Sequence, residues 1–236
     1  RTAAGAAYCW GSGPVGNLGD GTGINRQAPT AVTGGHLFSA LSLFAENHTC
    51  GLDTGGAAYC WGYNADGELG DGTTADQTSP TAVLGGTTFA RIASGGYHSC
   101  GLTGAGAAWC WGDNNAWQLG WGIPPGDELV PGAVQGGFTF SALFAGGSQS
   151  CGLVAGGAAY CWGLNDDGAL GDGTTTWRLT PTAVTGGLQF SQLAVGFRFS
   201  CGRTLSDAVY CWGNNSSGQL GDGTNTTRLG PVLVGG

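Results

Sequence analysis

The chain has 236 residues, enough to bury a sizeable core, with only 9% charged side chains and 50 glycines set at regular intervals. Its net charge is −8, and its basic residues are arginines that form no cluster, a balance that disfavours nucleic acid and anionic membrane surfaces as partners. No apolar run reaches the ~18 residues that would suggest a membrane span, so no membrane insertion is expected, and 41% hydrophobic residues with 9 tryptophans argue for a folded chain.

Residues 1–35 read as a partial unit. They hold the triplet Cys9-Trp10-Gly11, the loop "LGDGT" from Leu18 and the segment "PTAVTGG" from Pro29. Without a leading methionine or signal peptide, the chain reads as a processed product or a fragment. Longer units follow at about 36–86, 87–137, 138–187 and 188–236. Each repeats the triplet, at Cys60, Cys110, Cys161 and Cys211, and adds an earlier cysteine at Cys50, Cys100, Cys151 and Cys201. Each also opens on a phenylalanine-led apolar stretch, at Phe38, Phe89, Phe140 and Phe190. Within a unit the pieces are short and extended, as in "TAVLGG", "FARIASG", "YHSCGLT" and "AAWCWG", and Gly, Pro, Asn and Asp separate them. Nowhere do apolar residues keep helical spacing over ten or more positions. The expected fold is all-β: a single β-propeller domain over 1–236, about five four-stranded blades, with the ring incomplete within this chain.

The stretch "GYHSCGLTGAGAAWCWGDNNAWQLG", with its G-x-x-H-S, W-G-x-N and L-G signatures, resembles the repeat of the RCC1 (regulator of chromosome condensation) superfamily. The cysteine pairs mark the chain as resembling a secreted variant of bacterial type. The resemblance covers essentially the whole chain and implies radially arranged blades, usually seven, more than this chain can supply. The superfamily's nucleotide-exchange activity on a nuclear GTPase is not carried over, because no exchange-site residues are recognisable.

Pairing inward from Cys100 and Cys110 sets Gly101 opposite Trp109 and Leu102 opposite Ala108, leaving Gly104, Ala105 and Gly106 as a three-residue hairpin loop. The two cysteines then face each other on adjacent strands within bridging reach. The same count pairs Cys50 with Cys60, Cys151 with Cys161 and Cys201 with Cys211. Disulfides are favoured over buried thiols and over zinc, whose ligand spacing is absent. They place the protein outside the cell or on its surface. Cys9 has no partner in the pattern and is expected to stay unpaired or to bridge another molecule.

The aromatic row that alternates with the cysteines reads as packing between blades. The acidic loops "NADGELGDGT" and "NDDGALGDGT" do not match a calcium loop and read as Asx turns. His48 and His98 share one repeat position, which suggests scaffold roles. No nucleophile and base stand together, so neither an enzyme nor a cofactor is expected. Departures from the repeat are the candidate binding loops: Trp117, Trp121, Asp127 and Glu128; Trp177 and Arg178; Phe197, Arg198 and Phe199. Sequons mark Asn47, Asn214, Asn215 and Asn225 as candidate glycosylation sites. The expected function is a secreted, non-catalytic module that binds a protein or copies of itself. The alternative is a structural subunit of an extracellular filament, fibre or surface layer, a homopolymer assembled through the open propeller edge.

Overall fold

Extended segments of four to seven residues, each cut off by a turn former, can satisfy their backbone groups only by pairing with near neighbours. The computed structural model describes residues 1–44 and 48–235, and among these it has eighteen strands and no α-helix. β1 (Tyr8–Gly11) and β2 (Arg26–Ala31) form a two-stranded sheet. Four antiparallel four-stranded meanders follow. The first is β3 (Phe38–Phe44), β4 (His48–Asp53), β5 (Ala58–Gly62) and β6 (Gln77–Ala82). The second is β7 (Arg91–Ser94), β8 (His98–Leu102), β9 (Ala108–Gly112) and β10 (Glu128–Ala133). The third is β11 (Phe140–Ala145), β12 (Gln149–Val154), β13 (Ala159–Gly163) and β14 (Arg178–Ala183). The fourth is β15 (Phe190–Val195), β16 (Phe199–Thr204), β17 (Val209–Gly213) and β18 (Arg228–Leu233).

The leading strands β3, β7, β11 and β15 touch in series, which makes them the inner edges of successive blades. Backbone bonds between the loops that follow them tie the blades around the axis: Gly96 donates to Gly146 at 2.9 Å and Gly147 to Gly196 at 3.0 Å. The result is an open arc of a β-propeller with four complete blades, preceded by β1 and β2 as the outer half of another. The ring is incomplete, as the sequence predicts.

The hairpin register agrees with the inward count. Cys100 lies opposite Cys110, Gly101 opposite Trp109 and Leu102 opposite Ala108. Thr103 N–H donates to Ala107 at 2.9 Å, and Gly106 closes the turn at φ 84°, a conformation glycine adopts without strain. Disulfides join Cys50–Cys60, Cys100–Cys110, Cys151–Cys161 and Cys201–Cys211, while Cys9 is free.

The core lies between blades rather than within one. Cys100, Cys110 and Leu102 of the second blade pack with Phe140, Leu143 and Trp162 of the third. Cys151, Cys161 and Leu153 of the third pack with Phe190, Leu193 and Trp212 of the fourth. Each blade therefore offers its bridged face to the next blade and its tryptophan face to the previous one. This alternation follows from the two-residue period of a strand. The glycine after each second-strand cysteine is needed for close approach: the Phe89 ring lies on Gly101, where a Cβ would strike its edge.

Candidate functional site

Each joint between blades converges on one backbone carbonyl. Glu68 O accepts from Ser99 Oγ at 2.9 Å and from Trp111 Nε1 at 2.8 Å. Gln118 O accepts from Ser150 and Trp162, both at 2.9 Å. Ala169 O accepts from Ser200 and Trp212, and Asn17 O from Thr49 and Trp61. His48 Nε2 lies 2.8 Å from Ser99 Oγ, and His98 Nε2 2.8 Å from Ser150 Oγ. Since each serine gives its proton to a carbonyl, each histidine donates from Nε2, which leaves Nδ1 unprotonated. Both Nδ1 atoms are buried without a partner. Burial lowers the His48 pKa to about 4, and burial, then the nearby His48, lowers that of His98 to about 3. These histidines are neutral parts of the joint.

The acidic loops are structural clamps. Asp172 accepts from Thr174 at 2.8 Å and pairs with Arg178, and Asp222 does the same with Thr224 and Arg228. Hydrogen bonds from Thr224, then Arg228, hold the Asp222 carboxyl far below the usual range. Asn165 and Asn215 brace these loops by donating to Asp172 and Asp222 and to two carbonyls each. Two of the candidate residues take part in these clamps. Arg178 is a clamp residue, and Asn215, 0% exposed with its amide engaged, cannot receive a glycan in the folded chain. Asn225 is exposed, Asn214 is half-buried and accepts from Ser216 and Gln219, and Asn47 lies outside the described residues. Among the described residues no group of three or more His, Cys, Asp or Glu could hold a metal ion. Among the described residues no helix is long and apolar enough to cross a membrane.

The second blade breaks the clamp. Trp121 stands where other units place Asp20, Asp71, Asp172 and Asp222, and Glu128 begins β10 where others place an arginine or glutamine. Trp121 folds back onto Gly132, at the position held by a threonine or valine in the other units, and a Cβ there would run into the indole. Trp121 thus packs against the blade core instead of projecting as an anchor.

Trp117 behaves differently. It sits at φ 63°, where Gly16, Gly67, Gly168 and Gly218 hold the corresponding left-handed turn in the other units. Its half-buried ring meets Trp177 of the third blade edge-on, with centroids 5.9 Å apart. The Trp177 indole donates to Asp166 at 2.6 Å, and the adjacent Asp167 pairs with Arg198 of the fourth blade at 3.2 Å. Three departures from three units therefore share one rim. Asp127 lies on the same loop as Trp117 and accepts from Asn115 at 3.3 Å. Burial, then Asp113, raises its pKa, while burial, Asp113 and Asp127 raise that of Asp66. The rim is an aromatic pair flanked by crowded carboxylates. Phe197 and Phe199 lie apart from it: Phe197 is 56% exposed and touches Phe44 of the first blade at 5.2 Å, and half-buried Phe199 packs on Gly196.

Sequence reasoning missed the joint carbonyls, because only the backbone acts there and Asn17, Glu68, Gln118 and Ala169 share no side-chain chemistry. The one available signal was the hydroxyl residue before each second-strand cysteine: Thr49, Ser99, Ser150 and Ser200.

Among proteins of known type, the Regulator of chromosome condensation (RCC1) repeat matches residues 55–102, 156–202 and 206–236, and a second description of that repeat matches 89–116 and 190–219. The ultraviolet-B receptor UVR8 of Arabidopsis thaliana is 34% identical over 176 residues, covering 72% of this chain and 40% of UVR8. The E3 ubiquitin-protein ligase HERC2 of Homo sapiens is 33% identical over 98 residues, 40% of this chain and 2% of HERC2. Prp20p of Saccharomyces cerevisiae, studied for binding to Gsp1p and histones, superposes with a TM-score of 0.86 at 20% identity over 98% of this chain and 59% of its own. Human WBSCR16 superposes at 0.84 with 20% identity over 94% and 60%. The chain thus spans less than two thirds of the proteins it matches. With its repeats, blades and joints in agreement with these matches, the chain belongs to the RCC1 repeat family.

Proposed function

We propose that the arc is a non-catalytic protein-binding module, working outside the cell, that recognises a cationic protein surface through the rim of Trp117, Trp177, Asp166 and Asp127. The observation that carries this reading is Trp117. An aromatic residue in a left-handed turn costs on the order of 1 kcal/mol, and glycine at the same place in four other units shows that the blade does not need it. Its buried indole N–H has no acceptor. Lysine or arginine over the two rings would gain cation–π attraction and relieve the crowding of Asp66, Asp113 and Asp127. The disulfides support an oxidising compartment.

The test compares proteins captured by the immobilised chain with those captured by Trp117→Gly and Trp177→Ala variants, followed by direct titration of the purified partner. Trp117→Gly should raise thermal stability and abolish binding, and binding to the parent chain should weaken with salt. Identical capture by parent and variants removes the reading.

A second reading, a subunit of an extracellular filament, draws on the unlike ends of the arc. Trp10 is 60% exposed, whereas Trp61, Trp111, Trp162 and Trp212 at the same repeat position are fully buried. Light scattering and electron microscopy of the non-reduced chain decide it: long particles support assembly, and a monodisperse ~24 kDa species rejects it.

A further inference from the structure

A hollow of about 640 Å³ lies among the second, third and fourth blades. Its walls are apolar at Phe144, Leu153 and Leu205, and the one formal charge among its lining residues is Arg91. Arg91, Ala142 and Gln192 hold the same register on β7, β11 and β15, opposite Leu102, Leu153 and Arg203. The small Ala142 therefore leaves space between a guanidinium and an amide. Carboxylates hold Arg26, Arg178, Arg198, Arg203 and Arg228. Among the described residues the side chains of Arg91 and Gln192 make no ion pair or hydrogen bond, and both residues are exposed.

The hairpin of the third blade adds a further open donor. In the other three complete blades a side-chain oxygen at the start of this loop accepts the N–H four residues on. Asp53 takes it from Ala57 at 2.9 Å, and Thr103 and Thr204 take it from Ala107 and Ala208 at 3.1 Å. Val154 stands at that place in the third blade and has no oxygen to offer. The Ala158 N–H is thus left without an acceptor among the described residues, in the loop whose Ala155, Gly156 and Gly157 line the hollow.

We propose that this hollow binds an organic carboxylate with an apolar body. The carboxylate takes the Arg91 guanidinium and the Gln192 amide, and the body lies on Ala142, Phe144 and Leu205. Arg91 and the loop N–H offer donors only, Gln192 can turn its NH2 group inward, and no Asp or Glu lines the hollow. A single guanidinium matches a carboxylate in charge and, through its planar fork, in shape. A phosphate dianion would bring a second charge that no lining residue neutralises, on a chain of net charge −8. The volume falls in the range of small-ligand pockets, roughly 300–1,000 Å³. The hollow opens beside the β12–β13 hairpin, at the opposite end of the strands from Trp117 and Trp177, whose loops follow β9 and β13. The inference does not depend on the tryptophan rim and stands or falls separately.

The experiment titrates the full chain with N-acetylphenylalanine and with its neutral amide, read from backbone amide shifts in two-dimensional NMR. The acid should give saturable shifts at Arg91, Gln192 and Ala155–Ala158, and the neutral amide should bind at least about tenfold more weakly. Arg91→Gln installs the residue that the fourth blade carries at the same register, and it should weaken binding of the acid by a similar factor. Ala142→Leu fills the hollow and should abolish the saturable shifts while the rest of the spectrum stays that of the folded chain. A pentapeptide of four glycines and a terminal phenylalanine presents the same group on a chain end. Binding at least about tenfold tighter than the free acid identifies the ligand as a peptide terminus, and equal or weaker binding identifies it as a small acid. Equal binding of acid and amide, undiminished binding in Arg91→Gln or Ala142→Leu, shifts confined to the Trp117 rim, or no saturable shift would each overturn the assignment.

Discussion

Glu68 carries its carboxyl into the joint between the first two complete blades, where it is 0% exposed and one oxygen, Oε1, has no partner. Burial raises its pKa from 4.5 to about 8. The folded chain therefore holds this proton more tightly than the unfolded chain does, and stability falls as pH rises from 4.5 to about 8. Gln118, at the same position one blade on, reaches Asp113 with its amide at 2.7 Å, which makes Glu68→Gln a substitution the repeat already accepts. It should stabilise the chain by roughly 1–3 kcal/mol at pH 8 and by little at pH 4, as read from urea midpoints at the two pH values. His98 has the opposite sign. Its folded pKa lies below 6.5, so the stability of the neutral form is lost as pH falls from 6.5 toward about 3. Gln149 fills that position in the third blade and donates to Gly196 at 2.9 Å. His98→Gln should therefore flatten the acid limb of the stability profile, and an unchanged acid midpoint would count against the buried neutral imidazole.

At the scale of the element, each bridged hairpin is both a staple and half of a joint. Closing a loop between cysteines ten residues apart constrains the unfolded chain by roughly 2–3 kcal/mol. Replacing Cys100 and Cys110 by alanine should exceed that figure, because their sulfurs also pack against Phe140 and Trp162. The same change at Cys201 and Cys211 should stay near or below it in this 236-residue chain, because among the described residues no blade packs on that face. Denaturant midpoints of the two double variants settle the comparison, and equal losses would show that packing adds nothing. The hairpins were legible in the sequence because a ten-residue cysteine interval, a glycine loop and strand alternation each require the same register. Trp121 was not. Its exposure turns on Gly132, eleven residues later, and the Asp-to-Trp and Thr-to-Gly departures explain one another only once the two strands are seen side by side. The Arg178 ion pair was hidden for a related reason, since an arginine on a loop looks like a free anchor until its carboxylate, Asp172, is seen beside it.

Across the whole molecule the repeat period fixed the blade count, while the joints between blades were invisible because their acceptors are backbone atoms. A chain built from nearest-neighbour joints is stabilised by them in series, so its least stable units are those with one joint instead of two. The second and third blades each have joints on both sides, through Glu68, Gln118 and Ala169. Among the described residues the fourth blade has only the Ala169 joint, and its Cys201–Cys211 face borders a hollow lined by Leu193, Ala194 and Val209. The half-blade has one joint as well, and a single cysteine where others have a bridge. Amide hydrogen exchange under native conditions should accordingly show a gradient. Protection should be greatest in β8, β9, β12 and β13, and lower in β1, β2, β17 and β18. Trp162→Phe removes one indole donor from the Gln118 carbonyl and leaves the rest of the joint in place. It should lower protection in both blades that meet there and leave the fourth blade's outer strands unchanged. Uniform protection in the parent chain, or a uniform loss in the variant, would mean that the arc unfolds as one unit and that its joints do not set its local stability.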